Sequence, residues 1–300
     1  MRAYLVLLLS LAAIWGASFM FIEIALEDLE PTTLMAGRCV VAAIFLLGLM
    51  AAQGKLARLR NVRRRAWGLG VINSALPFTL IAWGQQYIDS GVAAIGNASV
   101  PIWVAIFALW LAHSERATGI RVVGILLGLV GVGVLTGAQP DTDRWAVAGT
   151  LAVVGASVLY ALASLLLQRE SSRLDPVTLS TTTMIGATLA LVPFGLVQAP
   201  HELPGWQASA AVLALGLAGT GAGILIFMKI ISEYGSFKAG LVTYLLPVTA
   251  LLYGAFLLDE EVTGWMIVGL LLILSGVALG SGLLRPARTR AAEAAEPARP

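Results

Sequence analysis

Two prolines stand near the centres of apolar runs that are long enough to cross a membrane. Pro101 lies in the fourth such run of the chain and Pro247 lies in the ninth. Proline removes a backbone donor and frees the carbonyl four residues earlier, which belongs here to Asn97 or to Thr243. Freed backbone at membrane depth is tolerated only against protein or a water-filled cavity. The two prolines therefore predict kinks that flank a solute pathway, and packing kinks satisfied by neighbouring helices are the alternative.

Polar and aromatic side chains recur at helical spacing in the same apolar runs. Trp15 and Ser18 are three residues apart, and Ser157, Tyr160 and Ser164 continue as one stripe. A single hydroxyl can bond back to its own helix, but the coincidence across several runs favours a shared central cavity. The predicted substrate-binding residues are Trp15, Ser18, Asn73, Pro77, Asn97, Pro101, Ser157, Tyr160, Ser164, Thr220, Thr243, Tyr244 and Pro247.

Glu23 and Arg38 are the only charged residues that lie well inside predicted spans. They stand eight residues before and seven residues after Pro31, so a helical hairpin places them at similar depth. An isolated charge at that depth costs at least about 2–3 kcal/mol. We therefore predict a structural ion pair between Glu23 and Arg38, with a role in gating or substrate capture as the alternative.

Sequence patterns for catalysis and for metal binding are missing. There is no HExxH, GxSxG or P-loop motif, and His113 and His201 fall in connections or at helix ends. The single cysteine, Cys39, allows no intrachain disulfide. We predict that the protein is not an enzyme and holds no metal or cofactor. We also expect a neutral cavity, with no central carboxylate for proton coupling and no central charge that selects the sign of a substrate.

The elements that must position these residues are membrane-spanning helices. The 300 residues are 58% hydrophobic and only 12% charged, and the mean hydropathy is +0.87. Runs of 18 or more apolar residues can each cross about 30 Å of hydrocarbon as a helix. The sequence thus predicts an all-α polytopic membrane protein with ten transmembrane helices, near residues 4–24, 32–52, 66–84, 91–112, 119–137, 146–168, 177–198, 207–231, 238–258 and 263–284.

Charge placement predicts the orientation of these helices. Alternate connections carry nearly all of the lysines and arginines, whereas the opposite set has only Arg144 and holds most of the acidic residues. The positive-inside rule then places both termini in the cytoplasm. We interpret the basic run at residues 55–65 as a topology signal and expect no nucleic-acid binding. Residues 285–300 are predicted to form a disordered cytoplasmic tail.

The chain also contains an internal duplication. Pro247 follows Pro101 by 146 residues and Glu261 follows Glu115 by the same interval. Five spans per copy is an odd number, so residues 1–138 and 139–284 are predicted to form two inverted repeats, which is a transporter architecture. Glycines of the fifth and tenth spans, among them Gly124, Gly128 and Gly276, are spaced for close helix contacts.

Motifs in both halves carry a resemblance to a known family. They are Trp15-Gly16-Ala17-Ser18-Phe19, Arg38, the run Gln86–Gly91 leading to Pro101, Glu115, and in the second half Glu233-Tyr234-Gly235, Pro247, Glu261, Gly264, Gly269 and Gly276. This pattern resembles the EamA repeat of the drug/metabolite transporter superfamily over residues 4–284. The second half departs from it, because it has neither the Trp-Gly opening nor an intramembrane arginine.

The resemblance implies ten helices, cytoplasmic termini and export of small metabolites, with YddG-like amino-acid exporters as similar members. We therefore expect a carrier in a cell membrane, a bacterial inner membrane by this resemblance, that exports amino acids by alternating access. Its partners would be the small-molecule substrate and the lipid bilayer. The alternatives are export of drugs or nucleobases by the same fold, and an integral-membrane enzyme that acts on lipid-linked substrates.

Overall fold

The computed structural model describes residues 2–111, 119–137 and 144–280, and the regular structure within these ranges is helical. Glu115, His113 and the predicted tail at 285–300 lie outside the described residues. The α-helices are α1 Arg2–Leu26, α2 Pro31–Ala52, α3 Arg64–Gly70, α4 Leu76–Gln85, α5 Ser90–Asn97, α6 Val100–Leu111, α7 Gly119–Gly137, α8 Arg144–Ser171, α9 Pro176–Val197, α10 Trp206–Ala214, α11 Gly223–Tyr234, α12 Ser236–Gly240, α13 Val242–Leu257 and α14 Gly264–Gly280.

Eight helical segments of the described chain are long and apolar enough to cross a membrane. We keep the predicted span numbers for them: spans one and two are α1 and α2, span three is Arg64–Gln85, span four is α5 with α6, spans six and seven are α8 and α9, span eight is Trp206–Tyr234, and span nine is Lys238–Leu257. The shorter apolar helices α7 and α14 occupy the places of spans five and ten. The all-helical polytopic fold is confirmed, and the count of ten spans remains a prediction.

Proline and aspartate define where equivalent helices of the two halves begin. Pro31 and Pro176 are the first residues of α2 and α9, where the missing N–H of proline loses no helical bond. Asp175 caps α9, since its carboxylate accepts hydrogen bonds from Thr178 N at 3.3 Å and from Thr178 Oγ1 at 2.6 Å. Partial burial raises the pKa of Asp175, but hydrogen bonds from Thr178 and Arg58 outweigh it and hold that pKa below its usual value.

A π-helical segment interrupts span three and another interrupts span eight. The first covers Val71–Ala75 and the second covers Leu215–Ala222. Val71 plus 145 is position 216, so the two segments fall at corresponding places in the duplication. A π-segment leaves backbone groups out of the regular helical pattern, and such segments are frequent at functional sites.

Spans four and nine are also interrupted, but at different distances from their prolines. Span four breaks at Ala98 and Ser99, directly before Pro101. Span nine breaks at Leu241, whereas Pro247 lies inside the continuous helix α13. An interruption next to the proline is therefore present in the first half only, and the two equivalent kinks stay a prediction.

The helices of one half pack mainly against helices of the other half, in equivalent pairs. Spans two and seven pack together, and so do spans five and ten; span one packs against spans eight and nine, while span six packs against spans three and four. A Cβ on Gly276 would lie 2.5 Å from Gly128 N and 2.6 Å from Gly124 O. The glycines of spans five and ten thus lie at a close helix contact, as their spacing predicts, and the structure shows that these two spans contact each other. Each contact has a counterpart when the halves are interchanged.

Polar contacts link helix ends and connections that lie on the same side of the membrane if successive spans alternate in direction. At one end, Arg65 Nε lies 2.7 Å from Glu170 Oε1 and Arg58 Nη1 lies 2.8 Å from Asp175 Oδ2. At the other end, Gly205 N donates to Asp28 Oδ2 at 2.7 Å. All three contacts link the first half of the chain to the second half.

Candidate functional site

A cavity of about 320 Å³ lies between the two halves of the protein. Spans one to four and six to nine all contribute to its wall. The lining residues are Trp15, Ser18, Phe19, Ile22, Arg38, Asn73, Ser74, Phe78, Ile81, Asn97, Ala98, Val100, Tyr160, Met184, Gly219, Thr220, Ile224, Thr243 and Leu246. Both π-helical segments and the break of span four contribute lining residues.

The cavity brings together about half of the residues that the sequence predicts for substrate binding. Those that line it are Trp15, Ser18, Asn73, Asn97, Tyr160, Thr220 and Thr243. Those that do not line it are Pro77, Pro101, Ser157, Ser164, Tyr244 and Pro247. A role in binding remains a prediction for the first group, and the second group lies outside the cavity lining.

Ser157 has a structural role at the break of span four. Its side chain is fully buried, and Oγ lies 3.3 Å from Gly96 O and 3.5 Å from Asn97 O. A hydroxyl from span six therefore lies near Asn97 O, the carbonyl that Pro101 frees. The same hydroxyl also lies 3.2 Å from Val153 O of its own helix. Ser164 is different, because it is exposed and Oγ donates to Ala161 O of its own helix at 2.7 Å.

Trp15 closes part of the cavity against the π-helical segment of span eight. Its Nε1 donates to Gly219 O at 3.0 Å, and its ring centroid lies 5.3 Å from that of Phe227. Carbonyls within a π-segment are displaced from the regular helical bonding, and the indole N–H bonds to one of them. This bond fixes the orientation of the indole plane at the cavity wall.

The predicted ion pair between Glu23 and Arg38 is not formed. Glu23 Oε2 accepts a hydrogen bond from Gln85 Nε2 at 3.1 Å, whereas Arg38 Nε donates to Thr220 Oγ1 at 2.9 Å. Equal depth along a hairpin does not place two side chains on facing sides of their helices, because each residue turns the helix by about 100°. The two charges belong to different surroundings.

Arg38 places a formal positive charge in the cavity wall. The side chain is 7% exposed, and Cζ lies 3.9 Å from the centroid of the Phe78 ring. Among the described residues no carboxylate lies within 4.0 Å of Arg38, and the lining contains no acidic residue. The sequence-based expectation of a neutral cavity is therefore wrong.

The remaining polar groups of the wall differ in whether they are already bonded. Ser18 Oγ donates to Ile14 O at 3.2 Å and Thr243 Oγ1 donates to Gly240 O at 2.7 Å, each within its own helical segment. The amide of Asn97 makes no hydrogen bond with the described part of the chain, and its Oδ1 is buried. Asn97 is thus a neutral lining group with unused hydrogen-bonding capacity.

Sequence reasoning missed several parts of the wall. Phe78 lies between the guanidinium of Arg38 and the ring of Tyr160, whose centroid is 6.5 Å from that of Phe78 in an edge-to-face arrangement. Met184 brings span seven into the lining. No sequence signal distinguishes these side chains from others in apolar helices. Arg38 was considered for substrate capture only as the alternative to an ion pair, although a charge at membrane depth is a functional candidate by default.

The geometry first defines a class of protein: a multi-pass helical membrane protein with a cavity between two halves that make equivalent helix contacts. Comparison with known proteins then shows the family. The model of the EamA-like transporter family matches residues 2–137 and again residues 147–282. This chain belongs to the EamA-like transporter family and is a membrane transporter.

Relatives along nearly the whole chain carry the same general description. An uncharacterized transporter of Archaeoglobus fulgidus is 27% identical over 279 residues, which covers 92% of this chain and 98% of the relative. The uncharacterized transporter YoaV of Bacillus subtilis is 23% identical over 274 residues, covering 90% and 94%. The uncharacterized inner membrane transporter YedA of Escherichia coli K12 is 26% identical over 271 residues, covering 88% and 86%.

The fold also matches that of a solved crystal structure. The TM-score is 0.68 at 19% sequence identity, and the match covers 95% of this chain and 98% of the other. This likeness supports the helical architecture and carries no information on the substrate.

Proposed function

We propose that this transporter exports amino acids by alternating access around the cavity between its two halves. The observation that carries the proposal is the cavity wall itself, where apolar and aromatic side chains surround Arg38 and the unbonded amide of Asn97. A wall of this kind can hold an apolar side chain and a polar head at the same time. A bacterial inner membrane with both termini in the cytoplasm is the proposed location.

The size of the cavity favours small solutes. Its volume of about 320 Å³ lies at the lower end of the range of about 300–1,000 Å³ that is usual for small-molecule sites. Amino acids and similar metabolites fit this volume better than large drugs or lipid-linked substrates. The positive charge of Arg38 also disfavours cationic drugs, because like charges repel in a site of low dielectric constant.

In the proposed mechanism the two repeats exchange conformations, and the contacts between the halves change with them. Five spans per repeat place the repeats in opposite orientations, so interchanging their conformations would close one end of the cavity and open the other. The contacts of Arg65 with Glu170 and of Asp28 with Gly205 join the two halves at opposite ends. We infer that the contacts at one end break when the cavity opens there.

The test is transport by the purified full-length protein in liposomes. Labelled amino acids, nucleobases and cationic drugs are each assayed for saturable uptake or exchange, and we expect saturable movement of amino acids. Asn97→Ala and Tyr160→Ala remove lining groups and should weaken apparent affinity by about tenfold, which corresponds to about 1.4 kcal/mol. Tyr87→Ala is the matched control, because Tyr87 is 38% exposed and lies outside the lining.

Two outcomes would contradict the proposal. Saturable transport of nucleobases or cations without transport of amino acids would retain the carrier and exclude this substrate class. Equal losses in Tyr160→Ala and Tyr87→Ala would indicate that the cavity is not the pathway.

A further inference from the structure

We propose that the guanidinium of Arg38 binds a carboxylate group of the substrate, so that the transporter selects carboxylate-bearing solutes over neutral and cationic ones. The inference rests on the proposed function, because it assumes that the cavity is where the solute binds. It adds the chemical group by which the solute is recognised.

The contacts of Arg38 hold its side chain while leaving donors available. Nε is bonded to Thr220 Oγ1 at 2.9 Å, and the face of the guanidinium lies on Phe78 with Cζ 3.9 Å from the ring centroid. Neither Nη1 nor Nη2 has a hydrogen-bond partner in the described part of the chain, and neither is among the fully enclosed unbonded atoms. Two adjacent N–H donors that face a cavity match the two oxygens of a carboxylate.

The protein supplies no counter-charge for this arginine. Glu23, the acidic residue nearest in sequence within the spans, accepts its hydrogen bond from Gln85. No acidic side chain lines the cavity among the described residues. A buried cation without a partner is unfavourable at membrane depth. A bound anion would therefore stabilise the charge of Arg38, which no acidic residue of the described lining neutralises.

A carboxylate fits this site better than a phosphate monoester. A phosphate monoester carries a charge of about −1.5 to −2 near neutral pH, and the described lining holds one cation. A single guanidinium neutralises one negative charge, which is the charge of a carboxylate. The other described lining residues are uncharged and offer no second cation for a dianion.

The experiment compares matched ligands on the purified full-length protein. Ligand-induced thermal stabilisation and calorimetric binding are measured for L-leucine and L-leucinamide, L-phenylalanine and L-phenylalaninamide, benzoate and benzamide, and phenyl phosphate as a phosphate monoester without a carboxylate. We expect at least one carboxylate to bind about 10- to 100-fold more tightly than its carboxamide. Phenyl phosphate should bind more weakly than that carboxylate.

Variants then assign this preference to Arg38. In Arg38→Gln the preference for the carboxylate should disappear, with both members of a pair binding weakly. In Arg38→Lys a reduced preference should remain, since lysine keeps the charge and loses the paired donor geometry. Arg144→Gln is the matched control, because Arg144 also lies over an aromatic ring, that of Trp145, but outside the cavity lining.

The outcomes separate this inference from the proposed function. Equal binding of carboxylates and carboxamides by the wild type across the panel would overturn the role of Arg38, even if neutral solutes are transported. An undiminished preference in Arg38→Gln would overturn it as well. Carboxylate preference that depends on Arg38 without movement of any solute would support the site and refute the carrier. The wild-type comparison decides the matter if Arg38→Gln does not fold.

Discussion

Gln85 of span three forms hydrogen bonds with both a side chain and a backbone carbonyl of span one. Its Nε2 donates to Glu23 Oε2 at 3.1 Å and to Phe19 O at 2.9 Å. Gln85 is 2% exposed, and buried amide donors contribute most when both hydrogens are used. The Glu23 carboxylate is therefore oriented by an amide, and Arg38 is oriented by the hydroxyl of Thr220.

At the residue scale, double-mutant cycles should separate these two surroundings. We expect Glu23→Ala and Gln85→Ala to be coupled by about 0.5–3 kcal/mol, because they remove the two ends of one buried hydrogen bond. Glu23→Ala and Arg38→Ala should be additive within about 0.5 kcal/mol, because they share no partner. Thermal or denaturant unfolding of the purified protein gives both cycles. A larger coupling for Glu23 with Arg38 than with Gln85 would contradict this assignment.

The residues that sequence reasoning placed in the cavity are those whose polarity is unusual in an apolar helix. Trp15, Asn97 and Thr220 were predicted on that basis, and they line the wall. Ser157 and Ser164 have the same polarity and lie elsewhere. Residue type thus gave candidates, but the face of the helix decides the outcome, and in a helix that is apolar all round the periodicity contains no information on that face.

At the element scale, the start of α5 depends on a carboxylate from the other half of the protein. Glu260 Oε1 accepts from Ser90 N at 2.9 Å and Glu260 Oε2 accepts from Gly91 N at 3.1 Å. The first N–H groups of a helix have no partner within it, and the helix dipole favours a negative charge at this end. A Cβ at Gly254 would overlap the Glu260 carboxylate, so that glycine leaves room for the contact.

Replacing this carboxylate should destabilise the protein. Glu260→Ala leaves two N–H groups without an acceptor, and we expect a loss of about 1–2 kcal/mol in the free energy of unfolding. Glu261→Ala is the matched control, since Glu261 is exposed and adjacent in sequence. Thermal unfolding gives the stability, and hydrogen exchange should be faster at Ser90 and Gly91 in the first variant only. Equal effects of the two substitutions would exclude the capping role.

The π-helical segments show what the sequence does not indicate at this scale. Val71–Ala75 and Leu215–Ala222 occupy corresponding places, but their sequences VINSA and LGLAGTGA share little. The glycines of span eight indicate a conformationally permissive segment, but they do not indicate whether it is α-helical or π-helical. An extra residue per turn arises from packing between helices, and the hydrophobic pattern is the same for an α-helix or a π-segment of this length.

At the scale of the whole molecule, the extent of most membrane-spanning segments could be predicted. The predicted spans 32–52 and 177–198 correspond to Pro31–Ala52 and Pro176–Val197. Hydropathy identifies such segments because the bilayer fixes their length, and proline at the first helical position marks their starts. The interior break at Leu241 was not located from the sequence, because no proline lies beside it. The break at Ala98 lies close to Pro101, where the sequence predicts a kink.

The orientation of the two repeats can be tested at four positions that the duplication relates to one another. Glu27 and Ser172 differ by 145 residues and lie in equivalent connections, and both are exposed. Gln53 and Ala199 lie in the next pair of equivalent connections and are also exposed. Gln53 is chosen over its neighbour Gly54, which has φ of +65° and would be strained by any side chain. Single cysteines are introduced at the four positions after Cys39→Ala.

Inverted repeats should make equivalent positions react oppositely. The basic connection that holds Arg58 and Arg65 contacts the one that holds Asp175, and the positive-inside rule places both in the cytoplasm. An impermeant maleimide added to intact cells should therefore label cysteines at Glu27 and Ala199, whereas cysteines at Gln53 and Ser172 should react only after permeabilisation. Labelling of all four after permeabilisation controls for folding and access. If Glu27 and Ser172 react alike in intact cells, the repeats are parallel, and an exchange of their conformations could not alternate access between the two sides of the membrane.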